Sequence, residues 1–387
     1  MVSPTGASPL RLSAEAAFFQ FPTWSPNNRW LTMLGSTQHD AGVFLASAES
    51  GGAASLRQLY RSNRQPPIYN AWSPDSTLLS MLAVHPDSRL ALYLIDALQE
   101  EHSEPSLVVS GQPCFWHWHA DSRGLLVHID LGQRSAHLAN IRWRNARQPS
   151  IQPINIQPGY FQAPAISYDG RHLAYAQLSH SGESQLVVAS REHKVVIGEH
   201  IGVTAMNWSP TATQLAFIHP LTATQHFYGP LHLWQAEDEQ VRRLSARTVV
   251  AFFWAPDGKR IAFFTVAGDP APTQPERVNG AINGHLKNSW PFMPTPALAA
   301  LQLGVHILEI ASGEERQVAT FTPSQPFFNQ FLPFFDQYAK SHSLWSPHSD
   351  ALVLSAEVNG HPQIVAVDVE RGQLQTIAEG QMASWSW

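Results

Sequence analysis

His117 and His119 stand two residues apart in "CFWHWHADSRGLLV", residues 114 to 127, beside the only cysteine, Cys114. On a β-strand, side chains two apart share a face, and two imidazoles so placed have the spacing of a metal pair. A second group of polar residues lies far downstream. "VNGAINGHLKNSWPF" is preceded by Arg277 and offers His285, Lys287, Asn288 and Trp290. "FFNQFLPFFDQYAKSH" offers Asn329, Asp336, Gln337, Tyr338, Lys340 and His342 among six aromatic residues. Amides, a carboxylate and cations set among aromatic rings are the materials of a recognition surface. Histidines also recur at His39, His85, His180, His219, His226, His285 and His361.

The elements that carry these residues come from an internal repeat. Trp24 opens "WSPNNRWLTM", Trp72 "WSPDSTLLSM", Trp118 "WHADSRGLLV" and Ile166 "ISYDGRHLAY". Trp208 opens "WSPTATQLAF", Trp254 "WAPDGKRIAF" and Trp345 "WSPHSDALVL". The eighth place is always Leu or Ile: Leu31, Leu79, Leu125, Leu173, Leu215, Ile261 and Leu352. A period near 46 residues, with one long interval before the last copy, is the mark of a repeat architecture. Each copy follows an apolar run. Proline at the third place fixes φ, and Asp with Gly or Ser follows, where αR and bridge conformations are expected. The module therefore reads as strand, tight turn, strand, with two more short strands after it. Four strands repeated seven times predict an all-β fold, a single seven-bladed β-propeller of four-stranded blades over 1–387, with eight blades as the lesser alternative.

The segments "WSPDS", "WAPDGKRIAFF" and "YDGRHLAYA" resemble the WD40-like PD40 repeats of TolB-like propellers, over nearly the whole chain. The resemblance implies a propeller. For function it implies a non-catalytic binding scaffold for a protein, peptide or small ligand, or alternatively a propeller-type lyase or other enzyme using channel histidines, with or without a divalent metal. The fourth copy lacks Trp and Pro, and the seventh has His348 where Asp is usual.

Placed on this frame, His117 and His119 fall on an innermost strand and its turn. They read as packed between blades, and no metal or other cofactor is expected. In a four-stranded blade the module turn joins strands one and two on one face of the ring. The other connections between strands two and three, and from blade to blade, share the opposite face. The insertion 266–302 in blade six and the loop 321–342 between blades six and seven should meet there, as a recognition surface or as packing only. At the ends, residues 9–14 look like an outer strand, 17–24 like an inner one, and "EGQMASWSW" like an inner strand with Trp385 at the module place.

Composition narrows the function classes. Only 14% of the 387 residues are charged, the formal net charge is -6, and no stretch is densely basic, so nucleic acid is not an expected partner. No apolar run spans a bilayer, and no basic-then-apolar leader opens the chain, so a cytoplasmic monomer without membrane insertion is expected. No nucleophile elbow, H-E-x-x-H or phosphate-loop pattern occurs.

Overall fold

The computed structural model describes residues 18–36, 39–48, 56–87, 89–99, 104–130, 136–143, 149–220, 227–268 and 301–387. The chain is all-β. The first sheet holds β1 (Phe18–Trp24), β2 (Trp30–Ser36), β3 (Ala41–Ser47) and β4 (Arg57–Ser62), and the second β5 (Pro67–Trp72), β6 (Leu78–Val84), β7 (Leu90–Asp96) and β8 (Ser106–Ser110). The third holds β9 (Cys114–Trp118), β10 (Gly124–Asp130), β11 (Ala136–Trp143) and β12 (Pro149–Ile154), and the fourth β13 (Ala165–Ile166), β14 (Leu173–Leu178), β15 (Ser184–Ala189) and β16 (Lys194–His200). A seven-stranded sheet follows: β17 (Met206–Trp208), β18 (Gln214–Ile218), β19 (Gly229–Gln235), β20 (Val241–Trp254), β21 (Arg260–Val266), β22 (Leu303–Glu309) and β23 (Glu315–Phe321). The last sheet holds β24 (Ala351–Val358), β25 (His361–Asp368) and β26 (Gln373–Glu379).

β20 serves two units. Its first half pairs with β19 and its second with β21, the two meeting at Val249. The strands thus fall into seven units, one per sequence copy. In every copy the first residue pairs across the turn with the eighth: Trp24 with Leu31, Trp72 with Leu79, Trp118 with Leu125, Ile166 with Leu173, Trp208 with Leu215, Trp254 with Ile261 and Trp345 with Leu352. The spacing that defined the repeat is therefore a register.

The turn itself differs from the sequence expectation at one place. In six of the seven copies its fifth residue lies in the left-handed region, at φ 60° for Asn28, 63° for Ser76, 57° for Ser122 and 59° for Ser349, and at Gly170 and Gly258; Ala212 of the fifth copy does not adopt it. This is a type I turn closed by a left-handed residue, as in three-residue hairpins. Glycine takes that conformation without a Cβ penalty. The serines are held by the neighbouring unit: Asn27 N donates to Ser76 Oγ (3.1 Å), Asp75 N to Ser122 Oγ (2.9 Å) and Asp257 N to Ser349 Oγ (3.2 Å). The aspartate of the turn accepts from the backbone N–H two residues on, as Asp75 does from Thr77 and Asp257 from Lys259. In the seventh copy, with His348 in that place, the Ser346 hydroxyl donates to Asp350 instead.

The module tryptophan is a second tie between units. Trp72 Nε1 donates to Thr23 O (3.1 Å), Trp254 Nε1 to Asn207 O (3.0 Å) and Trp345 Nε1 to Phe253 O (3.0 Å). Each acceptor carbonyl belongs to the residue before the module in the preceding unit. The ends of the ring meet through another tryptophan. Asn28 Oδ1 accepts from Trp387 N (2.8 Å), and Trp387 Nε1 donates to Trp24 O (3.2 Å). Trp385 makes an isolated bridge to Ser343 of the last unit, but the residues after Glu379 form no strand, where the sequence suggested an inner one. Residues 9–14 lie outside the described residues.

Candidate functional site

The first strand of the last unit is interrupted. Pro323 bridges Ala356, and the chain returns to the same edge only where Trp345 bridges Leu352. The excursion between them begins with helical turns over Phe327–Phe331, Leu332–Phe334 and Phe335–Tyr338. It runs into the ring instead of lying across it as a shelf. Phe327, Phe331, Phe335 and Tyr338 are buried. Phe335 meets Phe227, Phe252 and Phe253 at ring distances of 5.0, 5.6 and 5.7 Å. Tyr338 meets Phe21 of the first unit (5.5 Å) and Tyr69 of the second (5.0 Å). Phe21 sits at φ 54° beside a bulge in β1, a rare conformation for an aromatic residue, and its ring stacks on Tyr338.

The polar residues of this plug hold backbone groups of the inner strands. Asp336 Oδ2 accepts from Ala163 N (2.9 Å), just before β13, and its Oδ1 accepts from Gln337 N. Gln337 Oε1 accepts from Trp116 N (3.0 Å) in β9. Tyr69 shares a hydrogen bond with Ser341 Oγ (2.6 Å), which also bonds His342 Nδ1 (2.8 Å), and His342 Nε2 meets Thr23 Oγ1 (3.4 Å). Lys340 Nζ donates to Asp336 O. Burial pushes the Asp336 carboxyl up to about 6 against the Lys340 charge, and pushes Lys340 down to about 8 and His342 down to about 3. A low-dielectric site disfavours each charged form.

Of the sequence-selected residues, Asp336, Gln337, Tyr338 and His342 are therefore buried and engaged by the ring, while Lys340 and Asn329 are half-buried. Arg277, His285, Lys287, Asn288 and Trp290 lie outside the described residues. β21 and β22 pair along their full length, so the stretch after Val266 and before Leu303 connects neighbouring strands. His117 and His119 turn to separate partners: His117 Nδ1 accepts from Ile166 N (2.8 Å), and His119 Nε2 bonds Asn140 Oδ1 (3.0 Å). Burial, then the charges of Lys340 and His119, hold the His117 pKa well below its usual value. No group of three His, Cys, Asp or Glu side chains that could hold a metal occurs among the described residues. Among the described residues the histidines of the outer connections form no metal-holding group: His85 bonds Asp87, and His219 packs beside His232 at 5.2 Å, while His226, like His285, lies outside the described residues.

His180 lies elsewhere, in a groove of about 770 Å³ on the same face as the interunit connections. Its walls are the segment entering the fourth unit (Asn155, Ile156, Gln157) and the corner after β14 (Gln177, Leu178, Ser179, His180), with Gln185 and Lys194. The entering segment is held in place by Leu178 N donating to Gln157 O (2.8 Å) and Gly159 N to Ala176 O (2.9 Å). Lys194 donates to Gln177 Oε1 and lies 5.9 Å from the Tyr175 ring centre. Apart from His180, none of the residues singled out in the sequence lies in this groove. Its walls come from two stretches separated by a strand, each unremarkable alone; four amide residues near the fourth copy were the only available signal.

No protein-family profile matches the chain, and no curated protein sequence matches it. Solved structures do. A prolyl endopeptidase structure aligns with 94% of this chain and 50% of its own at 11% identity, TM-score 0.59. An uncharacterized protein of Listeria monocytogenes aligns with 97% of this chain and 100% of its own at 7% identity, TM-score 0.52. TolB of Acinetobacter baumannii aligns with 92% of this chain and 81% of its own at 12% identity, but with a TM-score of 0.41 it adds no argument. The repeat and the strand topology describe a β-propeller in fold. At these identities the likeness reaches no further than the fold.

Proposed function

We propose that the protein is a non-catalytic binding scaffold that recognises a protein, peptide or small ligand on the face bearing the interunit connections. One observation supports this reading above others. The plug occupies the middle of the ring, with its carboxylate, amide and hydroxyls bonded to inner strands, whereas the polar groove at the fourth unit opens to solvent on the connection face. Binding sites are concave, with a few placed polar groups, and in rigid scaffolds they gather on the connections.

The test is a thermal-shift screen of the intact chain against peptides and small molecules, followed by hydrogen-exchange footprinting of each hit. Protection on the connection face, at 155–157, 178–180 or the stretch 267–302, is the expected result. Protection confined to the module turns, such as 25–29 and 73–77, would overturn the reading.

A further inference from the structure

We propose that the groove at the fourth unit binds a short, extended peptide segment carrying a carboxylate. This deepens the binding role proposed above and rests on it. The argument starts from the lining. Asn155, Gln157, Gln177 and Gln185 place four side-chain amides in one groove. A primary amide offers donors and an acceptor together, the complement of a peptide unit, which carries one N–H and one C=O. Asn155, Gln157 and His180 make no side-chain hydrogen bond among the described residues, and all three are exposed. Their hydrogen-bonding groups are open to a ligand.

Charge selects among peptides. Lys194 is the one ammonium in the lining, and no carboxylate lines the groove with it. Its contact with Gln177 Oε1 uses one of three ammonium protons, and the Tyr175 ring further fixes its direction. Glu199, on the same strand as Lys194, is already met by Gln185 Nε2 (3.0 Å) from the neighbouring strand. A ligand carboxylate would thus meet an oriented cation without a competing anion in the lining. The groove volume lies within the range of ligand clefts, roughly 300–1,000 Å³. A sugar acid offers a carboxylate too, but no Phe, Tyr or Trp side chain lines the groove as a platform for a sugar ring. Tyr175, whose ring lies beside Lys194, is 3% exposed.

The probe is an array of end-blocked hexapeptides of acidic, neutral and basic composition, with glucuronate as a separate ligand. These are tested against the whole chain and its variants Gln177→Ala, Lys194→Glu and, as a charge control on the turn face, Lys259→Glu. Acidic peptides should bind, with Kd raised at least tenfold by Lys194→Glu, severalfold by Gln177→Ala and not by Lys259→Glu. Added salt should weaken binding to the parent chain. Acidic peptides that bind equally to Lys194→Glu would overturn the groove and leave the scaffold reading standing, since binding would lie elsewhere. A preference for basic peptides would overturn it, as would binding of glucuronate through Lys194 with no peptide bound. If no hexapeptide binds at millimolar concentration, the peptide assignment fails, and the thermal-shift screen decides the scaffold reading separately.

Discussion

The two faces of the ring are built from the ends of the same strands, yet they are governed differently. On the turn face six of the seven units repeat one device, a tight turn with a left-handed fifth residue, and three of them bond to the next unit through it, as from Asp75 N to Ser122 Oγ. On the connection face the units differ among the described residues. One sends an aromatic plug into the ring, one leaves a polar groove, and one carries the long stretch before Leu303. Repetition on the first face locks neighbours together; its absence on the second lets single units acquire separate roles. The carboxylates show the same division. Burial would raise Asp75, but hydrogen bonds from Ser73 and Thr77 outweigh it and lower its pKa, whereas burial prevails at Asp336 and raises it.

The strongest way to break this comparison is to empty the plug. Phe335 has no exposed surface and touches three phenylalanines. Phe335→Ala should cost about 3–5 kcal/mol, the usual range for a buried phenylalanine, read as a lowered denaturant midpoint. A cost under about 1 kcal/mol would mean that the ring does not depend on its plug.

The second test uses pH. The folded pKa of Asp336 is raised from 3.8 to about 6. The folded state therefore binds the proton more tightly. Its stabilising contribution is complete below pH 3.8 and is lost as pH rises through about 6. The span corresponds to a change on the order of 3 kcal/mol. Asp336→Asn should remove that slope, so the stability difference between variant and parent should change between pH 4 and 6 and level off above. Asp75 should behave with the opposite sign. Its folded pKa is lowered, so its contribution is present above its unfolded pKa and lost as pH falls through the folded one.

A smaller effect sharpens the account of the turn face. Ser122→Ala leaves Asp75 N without its acceptor and should cost about 1–2 kcal/mol. Ser122→Gly relieves the left-handed backbone as well and should recover part of that loss. Equal losses in the two variants would show that backbone conformation is not what the fifth place selects.

The smallest stability effect is expected at an outer edge. The outermost strand of six units meets its neighbour with a register shift, as between Val43 and Phe44 or Ile364 and Val365. β12 pairs with β11 without one, and five of its six residues are exposed. It carries Pro149 and Pro153 instead, which cannot donate to an added strand. Replacing both with threonine should change stability by less than about 1 kcal/mol but promote self-association, measured by sedimentation. Unchanged sedimentation of the variant relative to the parent chain would show that another feature guards this edge.

The sequence by itself determined the module. Trp at the first place, Leu or Ile at the eighth and a turn between them are local, and local spacing dictates register because side chains alternate with period two. The all-β propeller and the between-unit setting of His117 follow from that repetition. The left-handed fifth place was legible too, since Asn, Ser or Gly occupies it in six of the seven copies and Ala212 only in the fifth, but the αR reading of the turn passed over it. Tertiary structure alone decided the fate of the polar residues after Phe327. Asp336 and Gln337 look like surface chemistry in a loop, and nothing nearby in sequence says that Ala163 N and Trp116 N need acceptors. Those needs arise only when the inner strands close into a ring, because a buried N–H must be paired wherever in the chain its partner comes from. The groove likewise exists only because Asn155–Gln157 and Gln177–His180, separated by β13, are brought side by side as the chain enters and turns within one unit.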